Sequence, residues 1–200
     1  MSFPIQQIVV FIGPEGSGKT TQALKLKAET TWPYISTGDI IRNLAATDFS
    51  TKYGEECRRL AIDHGYLSGQ SLVEILANRL KEADTSEGFI LDGGMRTIEE
   101  TVKFQWVLET AGRKGLPLKT ILLQTADEVC LERLAGEGGR KRADDTHEGV
   151  KKRLANYHYK LKERLTIIQE QAGWELIEVD ATPEMEEVYK RVRAALTDGR

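Results

Sequence analysis

The chain has 200 residues, 40% hydrophobic and 30% charged, enough for one substantial core, so a single domain spanning 1–200 is expected. Its 28 lysines and arginines against 31 aspartates and glutamates leave a formal net charge of −3, which argues against a general binder of nucleic acid or of an anionic membrane surface. No apolar run approaches the roughly 20 residues that cross a bilayer, and MSFPIQQ has no charged segment ahead of an apolar one, so a cytoplasmic location is expected.

In chain order, Ile8-Val9-Val10-Phe11-Ile12 reads as a buried strand and Tyr34-Ile35 as a shorter one. Leu72, Ile75, Leu76 and Leu80 recur at helical spacing. Phe89-Ile90-Leu91 and Thr120-Ile121-Leu122-Leu123 are two further strands. Residues 135–142 are glycine-rich and basic, the composition of a mobile loop. Val150, Leu154, Tyr157, Leu161, Leu165, Ile168 and Ala172 keep one face apolar and predict a single long amphipathic helix. Leu176-Ile177-Glu178-Val179 is a last strand, followed by the helical pattern Met185, Val188, Tyr189, Val192, Leu196. Most of the strand runs are continuous rather than alternating, as in a parallel sheet covered on both faces. Strands separated by helices give a doubly wound α/β fold with its ligand crevice at the carboxyl ends of the strands. Cys57 and Cys130 stand without CxxC partners and suit buried helix positions in a reducing compartment. His64, His147 and His158 do not pair at metal-ligand spacing, and no zinc is expected.

Directly after the first strand comes Gly13-Pro14-Glu15-Gly16-Ser17-Gly18-Lys19-Thr20, a full match to GxxxxGK[ST] between a strand and a helix. Glycines let successive backbone N–H groups curl toward one point, and the helix starting near Lys19 adds its positive dipole end. A triphosphate would meet donors already aimed at it, with Lys19 reaching the β and γ phosphates and the Thr20 hydroxyl placed to help hold Mg²⁺. Asp92 closes the apolar run Phe89-Ile90-Leu91 and is the candidate carboxylate for that metal, directly or through water. A turn-forming or capping role is the plainer alternative for such a residue.

Three more segments join the phosphate loop: Ile35-Ser36-Thr37-Gly38-Asp39-Ile40-Ile41-Arg42, Gly88-Phe89-Ile90-Leu91-Asp92-Gly93-Gly94-Met95-Arg96-Thr97, and Arg142-Ala143-Asp144-Asp145 followed by Arg153. In their order and spacing they resemble the adenylate kinase family of nucleoside monophosphate kinases. The resemblance implies a P-loop NTPase-type core with a parallel five-stranded sheet flanked by helices. It adds a helical monophosphate-binding insert at about 37–69 and a short lid at about 133–145, without the zinc-bearing extension of some members. It further implies a monomer that reversibly transfers the γ-phosphoryl of Mg-ATP to AMP, giving two ADP. Position by position, ATP would be held by Gly13, Glu15, Gly16, Ser17, Gly18, Lys19, Thr20, Thr21 and Arg133. The monophosphate would be held by Thr37, Arg42, Tyr66, Ser68, Gly93, Arg96 and Glu100. Lys19, Arg96, Arg142 and Arg153 would act on the transferring group, since phosphoryl transfer asks mainly for positioning and charge stabilisation. Without the resemblance, Arg153 in Lys151-Lys152-Arg153 reads as a solvated surface charge, and Asp145 with Glu148 as a capping box for the long helix.

The sequence departs from the family pattern at four places. Thr20 follows Lys19 where the family usually has glycine, as in the thymidylate kinase loop. Gly94-Met95 replace the family's Phe-Pro ahead of Arg96, so the position of Arg96 can shift. Glu137 stands where a lid arginine is common, with Arg140 or Lys141 as substitutes. Glu100 replaces the adenine-reading glutamine. An ionised glutamate only accepts hydrogen bonds, so adenine would be half satisfied at a cost of roughly 1–3 kcal/mol. Guanine, with two donors on that edge, would suit it better. Alternatively Glu100 faces solvent. AMP remains the first expectation, GMP, CMP, UMP or dTMP the alternatives, and a regulatory module that binds nucleotide without phosphotransfer a further one.

Overall fold

Gln7–Ile12 forms β1, and all of it is buried. Ile8, Val10 and Ile12 join one hydrophobic cluster, while Val9 and Phe11 join the other, so a strand with no polar alternation feeds two layers of core at once. The computed structural model describes residues 3–63, 67, 69–135 and 146–197. From β1 the chain runs through α1 (Lys19–Glu29), β2 (Tyr34–Ser36), α2 (Thr37–Thr47), α3 (Lys52–Asp63) and α4 (Gly69–Leu80) to β3 (Gly88–Asp92). Then come α5 (Ile98–Thr110), β4 (Leu118–Gln124), α6 (Asp127–Ala135), α7 (His147–His158), α8 (Leu161–Glu170), β5 (Trp174–Asp180) and α9 (Met185–Thr197).

The five strands are all parallel, in the order β2-β3-β1-β4-β5. One face is covered by α4, α5 and α8 through Leu72, Leu76, Leu80, Phe104, Leu108 and Ile168. The other is covered by α1 and α9 through Ala23, Leu26, Val188, Val192 and Leu196. Each of these large side chains contributes roughly 1.5–3 kcal/mol by leaving water. Helices α2 and α3 pack on one another after β2, within the stretch expected as the monophosphate insert. Cys57 on α3 and Cys130 on α6 are free and buried, as their setting in the sequence suggests.

The single long helix expected from Val150 to Ala172 is two helices. α7 ends at His158 and α8 begins at Leu161, because Lys160 takes a left-handed backbone with φ 56°. Val150, Leu154, Tyr157 and Ile168 are buried as the spacing requires, but Ala172 lies exposed beyond α8. Side-chain periodicity reports which face is covered and is blind to one left-handed residue that breaks the helix. The start of α7 also differs: Thr146, not Asp145, is its cap, its hydroxyl accepting from Gly149 N at 3.1 Å. Asp145 lies outside the described residues, together with Tyr66, Ser68, Glu137, Arg140, Lys141, Arg142 and the lid from 136 onward.

Candidate active site

The site forms where β1, β2 and β3 end side by side. Asp92 is the last residue of β3 and sits in register with Phe11 of β1 and Ser36 of β2, so a turn, a helix start and a carboxylate meet at one edge of the sheet. The loop from Gly13 to Gly18 curls over that edge. Gly16 has φ 88°, and a Cβ there would lie 2.7 Å from the Cys130 carbonyl oxygen, so only glycine lets the loop pass this close to α6. Gly18, with φ 92°, precedes α1 and caps it with no side-chain hydrogen bond, and the first turn of α1 carries no acidic residue. The N–H groups of that turn are left for an anion, which the helix dipole favours.

Lys19 bends back over the loop and donates to Gly13 O at 2.8 Å and Pro14 O at 2.7 Å. Burial pushes its ammonium down to about 8, Asp92 partly offsetting and Arg96 adding to the shift. Beside it the Thr20 hydroxyl donates to Asp92 Oδ2 at 2.6 Å, and the Tyr34 hydroxyl donates to the same oxygen at 2.9 Å. Burial first, and then the Asp92 carboxylate, raise Tyr34 to about 12. A hydroxyl and a buried carboxylate in contact are hard oxygen donors of the kind Mg²⁺ takes from a protein. That ion draws most of its shell from water and substrate phosphates, so the pair fits it. Among the described residues no cluster of three or more His, Cys, Asp or Glu could hold a metal by itself.

Facing this end is an open cleft of about 1000 Å³ whose walls include Glu15, Lys19, Thr20, Arg42, Asp92, Arg96 and Arg133. Arg42 is exposed on α2 and pairs with Asp39. Arg133, on α6, donates to Gly16 O at 3.3 Å and Ala181 O at 3.2 Å. It borders a second recess with Ser17, Thr21, Gln22 and the loop after β5. Arg153 is buried on α7 rather than solvated. Its Nε lies 2.8 Å from Glu15 Oε2, which ties the helix to the phosphate loop. Thr37 is fully buried and donates from Oγ1 to Gly93 O at 2.9 Å. Gly93 has φ 86°, and a Cβ there would meet Arg96 Nη2 at 2.2 Å.

Glu100 does not face solvent. It is 3% exposed, its Oε2 accepts from Arg96 N at 2.9 Å, and its own N–H donates to Thr97 Oγ1, which together cap α5. Burial raises its carboxyl, with Arg96 and Arg164 opposing the rise.

Of the residues expected from sequence, Lys19, Thr20, Arg42, Asp92, Arg96 and Arg133 share one cleft, and Arg153 approaches it through Glu15. Two contributors escaped the sequence reading. Tyr34 was legible only as a strand residue. Arg164 is 3% exposed and donates to Met95 O and Arg96 O, and its signal was a charge lying on the apolar stripe, three residues after Leu161 and four before Ile168.

A loop of aimed N–H groups on the central strand of a parallel sheet, a carboxylate on the next strand and converging arginines define a P-loop phosphotransferase. The family model described as adenylate kinase matches residues 11–172. Proteins named adenylate kinase from Mycobacterium bovis (strain BCG / Pasteur 1173P2) and Mycobacterium tuberculosis (strain ATCC 25618 / H37Rv) are each 37% identical over 190 residues. The match takes in 94% of this chain and 98% of either relative. An adenylate kinase of Stenotrophomonas maltophilia (strain K279a) is 34% identical over 191 residues, again 94% of this chain and 98% of the relative. The chain belongs to the adenylate kinase family.

Proposed function

We propose that the protein is an ATP:AMP phosphotransferase, breaking the bond between the γ phosphorus of ATP and the bridging oxygen and joining that phosphorus to a phosphate oxygen of AMP, reversibly, with two ADP as products. The observation that carries this reading is a single cleft with an anion site at the head of α1 on one wall and Arg96 with Arg42 on another. Gly13, Glu15, Gly16, Ser17, Gly18, Lys19, Thr20 and Thr21 hold the ATP phosphates, and Arg133 lies against its base. Thr37, Arg42, Tyr66, Ser68, Gly93 and Arg96 surround the monophosphate, with Glu100 behind them on the Arg96 N–H. Lys19, Arg96, Arg142 and Arg153 neutralise charge on the moving group and align it, which is most of what this chemistry asks of a protein. Thr20 and Asp92 hold Mg²⁺, in part through water. When bound there, that ion would supply Lewis-acid neutralisation of the phosphate charge. Residues 37–69 act as a monophosphate-binding insert and 133–145 as a lid, on a monomeric chain.

A second reading rests on Glu100. An ionised carboxylate where the family pattern has glutamine would offer only acceptors to the two donors of guanine, but Glu100 is buried on the Arg96 N–H and does not border the cleft, so this reading requires the bound base to reach it past Arg96. An ADP-release assay over AMP, GMP, CMP, UMP and dTMP separates the two, AMP giving the highest kcat/KM on the first reading and GMP on the second. Lys19→Ala and Arg96→Ala must each remove most turnover. Tight ATP binding without transfer to any of the five would instead mean a regulatory module.

A further inference from the structure

Arg96 is the arginine on which the monophosphate reading depends most, and its backbone is held from both sides by buried charges. Its N–H donates to Glu100 Oε2 at 2.9 Å, and its carbonyl accepts from Arg164 Nη1 at 2.8 Å. The same Nη1 donates to Met95 O at 3.2 Å, and Nη2 donates to Tyr157 O. The Arg164 guanidinium also lies 5.2 Å from the centre of the Tyr157 ring. Arg164 and Glu100 are each 3% exposed, and neither borders the large cleft. Arg164 instead borders a smaller recess of about 390 Å³ that Lys19 and Arg96 also line.

A guanidinium is expensive to bury unless its donors are satisfied, and here the acceptors come from the loop after β3 and the end of α7. That loop needs restraint. Gly93 has φ 86° and Met95 φ 53°, a conformation that a bulky non-glycine residue rarely keeps without help. Two glycines precede Met95, and no pyrrolidine ring limits the backbone where the family pattern has Phe-Pro. Left to itself, the backbone on either side of Arg96 could rotate and take the guanidinium with it.

We propose that Arg164 is a positioning residue: anchored on Tyr157 O through Nη2 and donating from Nη1 to the Met95 and Arg96 carbonyls, it fixes the Arg96 backbone, which Glu100 holds from the N–H side, so that the Arg96 side chain meets the monophosphate in the cleft. The proposal rests on the reading of Arg96 as a phosphate ligand. It differs from a merely structural plug, which would lower stability and leave the kinetics of the folded enzyme alone.

The test measures kcat, KM for AMP, KM for ATP and Tm in Arg164→Met, Arg164→Lys, Arg96→Ala and the double variant Arg96→Ala/Arg164→Met. Arg164→Met should lower kcat/KM for AMP about 10-fold or more, since small misplacements of a phosphate ligand are amplified in rate, with KM for ATP within about 2-fold of the parent. Arg164→Lys keeps the charge and one nitrogen for the Met95 and Arg96 carbonyls but lacks the second, coplanar nitrogen that anchors the guanidinium on Tyr157 O, and should fall in between. In the Arg96→Ala background the Arg164→Met step should add less than about 2-fold, because its effect runs through the side chain already removed. Parental AMP kinetics in both Arg164 variants would overturn the proposal whatever their Tm, as would an undiminished loss in the double variant. If Arg164→Met does not fold, Arg164→Lys decides by the same AMP criterion. Parental AMP turnover in Arg96→Ala would sink the monophosphate reading itself, a separate outcome.

Discussion

Lys19 and Asp92 line the same cleft, and their surroundings give each a measurable signature. The Lys19 ammonium titrates at about 8 against an ordinary 10.5, because burial disfavours the charged form more than Asp92 stabilises it. Below pH 8 lysine is charged in both the folded and the unfolded chain, and the folded state bears the full penalty. Between about 8 and 10.5 the folded chain releases the proton first, so this group's contribution to stability improves as pH rises. Phosphate binding needs the charge, so its dependence is opposite. ATP affinity should fall as pH passes about 8, with proton uptake on binding, and calorimetry from pH 7 to 9.5 reads both. Lys19→Arg should remove the dependence over that range, arginine staying charged throughout. Asp92, in contact with Thr20 and Tyr34, has a different test. Asp92→Asn keeps the shape and loses the charge that would hold the metal, and should lower Mg²⁺-dependent turnover roughly 10- to 100-fold with little change in Tm. Both residues were legible in the sequence, since a GxxxxGK[ST] loop fixes its lysine and, beside such a loop, an acid closing an apolar strand reads as a metal carboxylate rather than a turn residue. Tyr34 and Arg164 were not, because their roles depend on which segments the fold brings beside them.

At the scale of elements, the apolar spacing located the covered faces of α4 and α9 and the four buried stripe residues of α7 and α8, Val150, Leu154, Tyr157 and Ile168, and it missed the break between α7 and α8. Nothing in Tyr157-His158-Tyr159-Lys160-Leu161 announces that break: there is no glycine or proline, and the left-handed residue is a lysine. Its reason is tertiary. Ending α7 at His158 leaves the Tyr157 carbonyl free to accept from Arg164, one turn into α8. The left-handed backbone costs an L-residue about 1–2 kcal/mol, and Lys160 gains little in return, its contact with Glu163 being exposed and 3.9 Å long. Lys160→Gly should relieve that strain, offset by about 0.4–1 kcal/mol of added freedom in the unfolded chain. The net gain is then about 0–1.6 kcal/mol, or a Tm up to about 6 °C higher by calorimetry. A lower Tm would mean that the lysine side chain contributes more here than its exposure suggests.

At the scale of the whole molecule, a chain with net charge −3 gathers Lys19, Arg42, Arg96 and Arg133 around one cleft. Continuous apolar runs made a parallel sheet legible, since such strands must be covered on both faces. The order β2-β3-β1-β4-β5 was not, because buried apolar strands are interchangeable in composition and only the connections choose their neighbours. That order puts the phosphate loop on the middle strand and Asp92 beside it, with cations on every side at a range where salt screens little. Burial and the neighbouring Arg96 depress Lys19, a repulsion that a bound polyphosphate offsets, while Arg153 is already paired with Glu15. A polyphosphate that accepts these charges should therefore stabilise the chain well beyond nonspecific salt. ATP at about 100 times its Kd contributes about 2.7 kcal/mol, which at about 2–4 °C per kcal/mol is a Tm rise of about 5–11 °C. Lys19→Met separates the repulsion from its use. It keeps the methylene stem and removes a poorly solvated charge, so the unliganded Tm should stay within a few degrees of the parent, while most of the ATP-induced rise disappears. If the variant kept the full ATP shift, the anion would be held elsewhere and the head of α1 would not be the phosphate site.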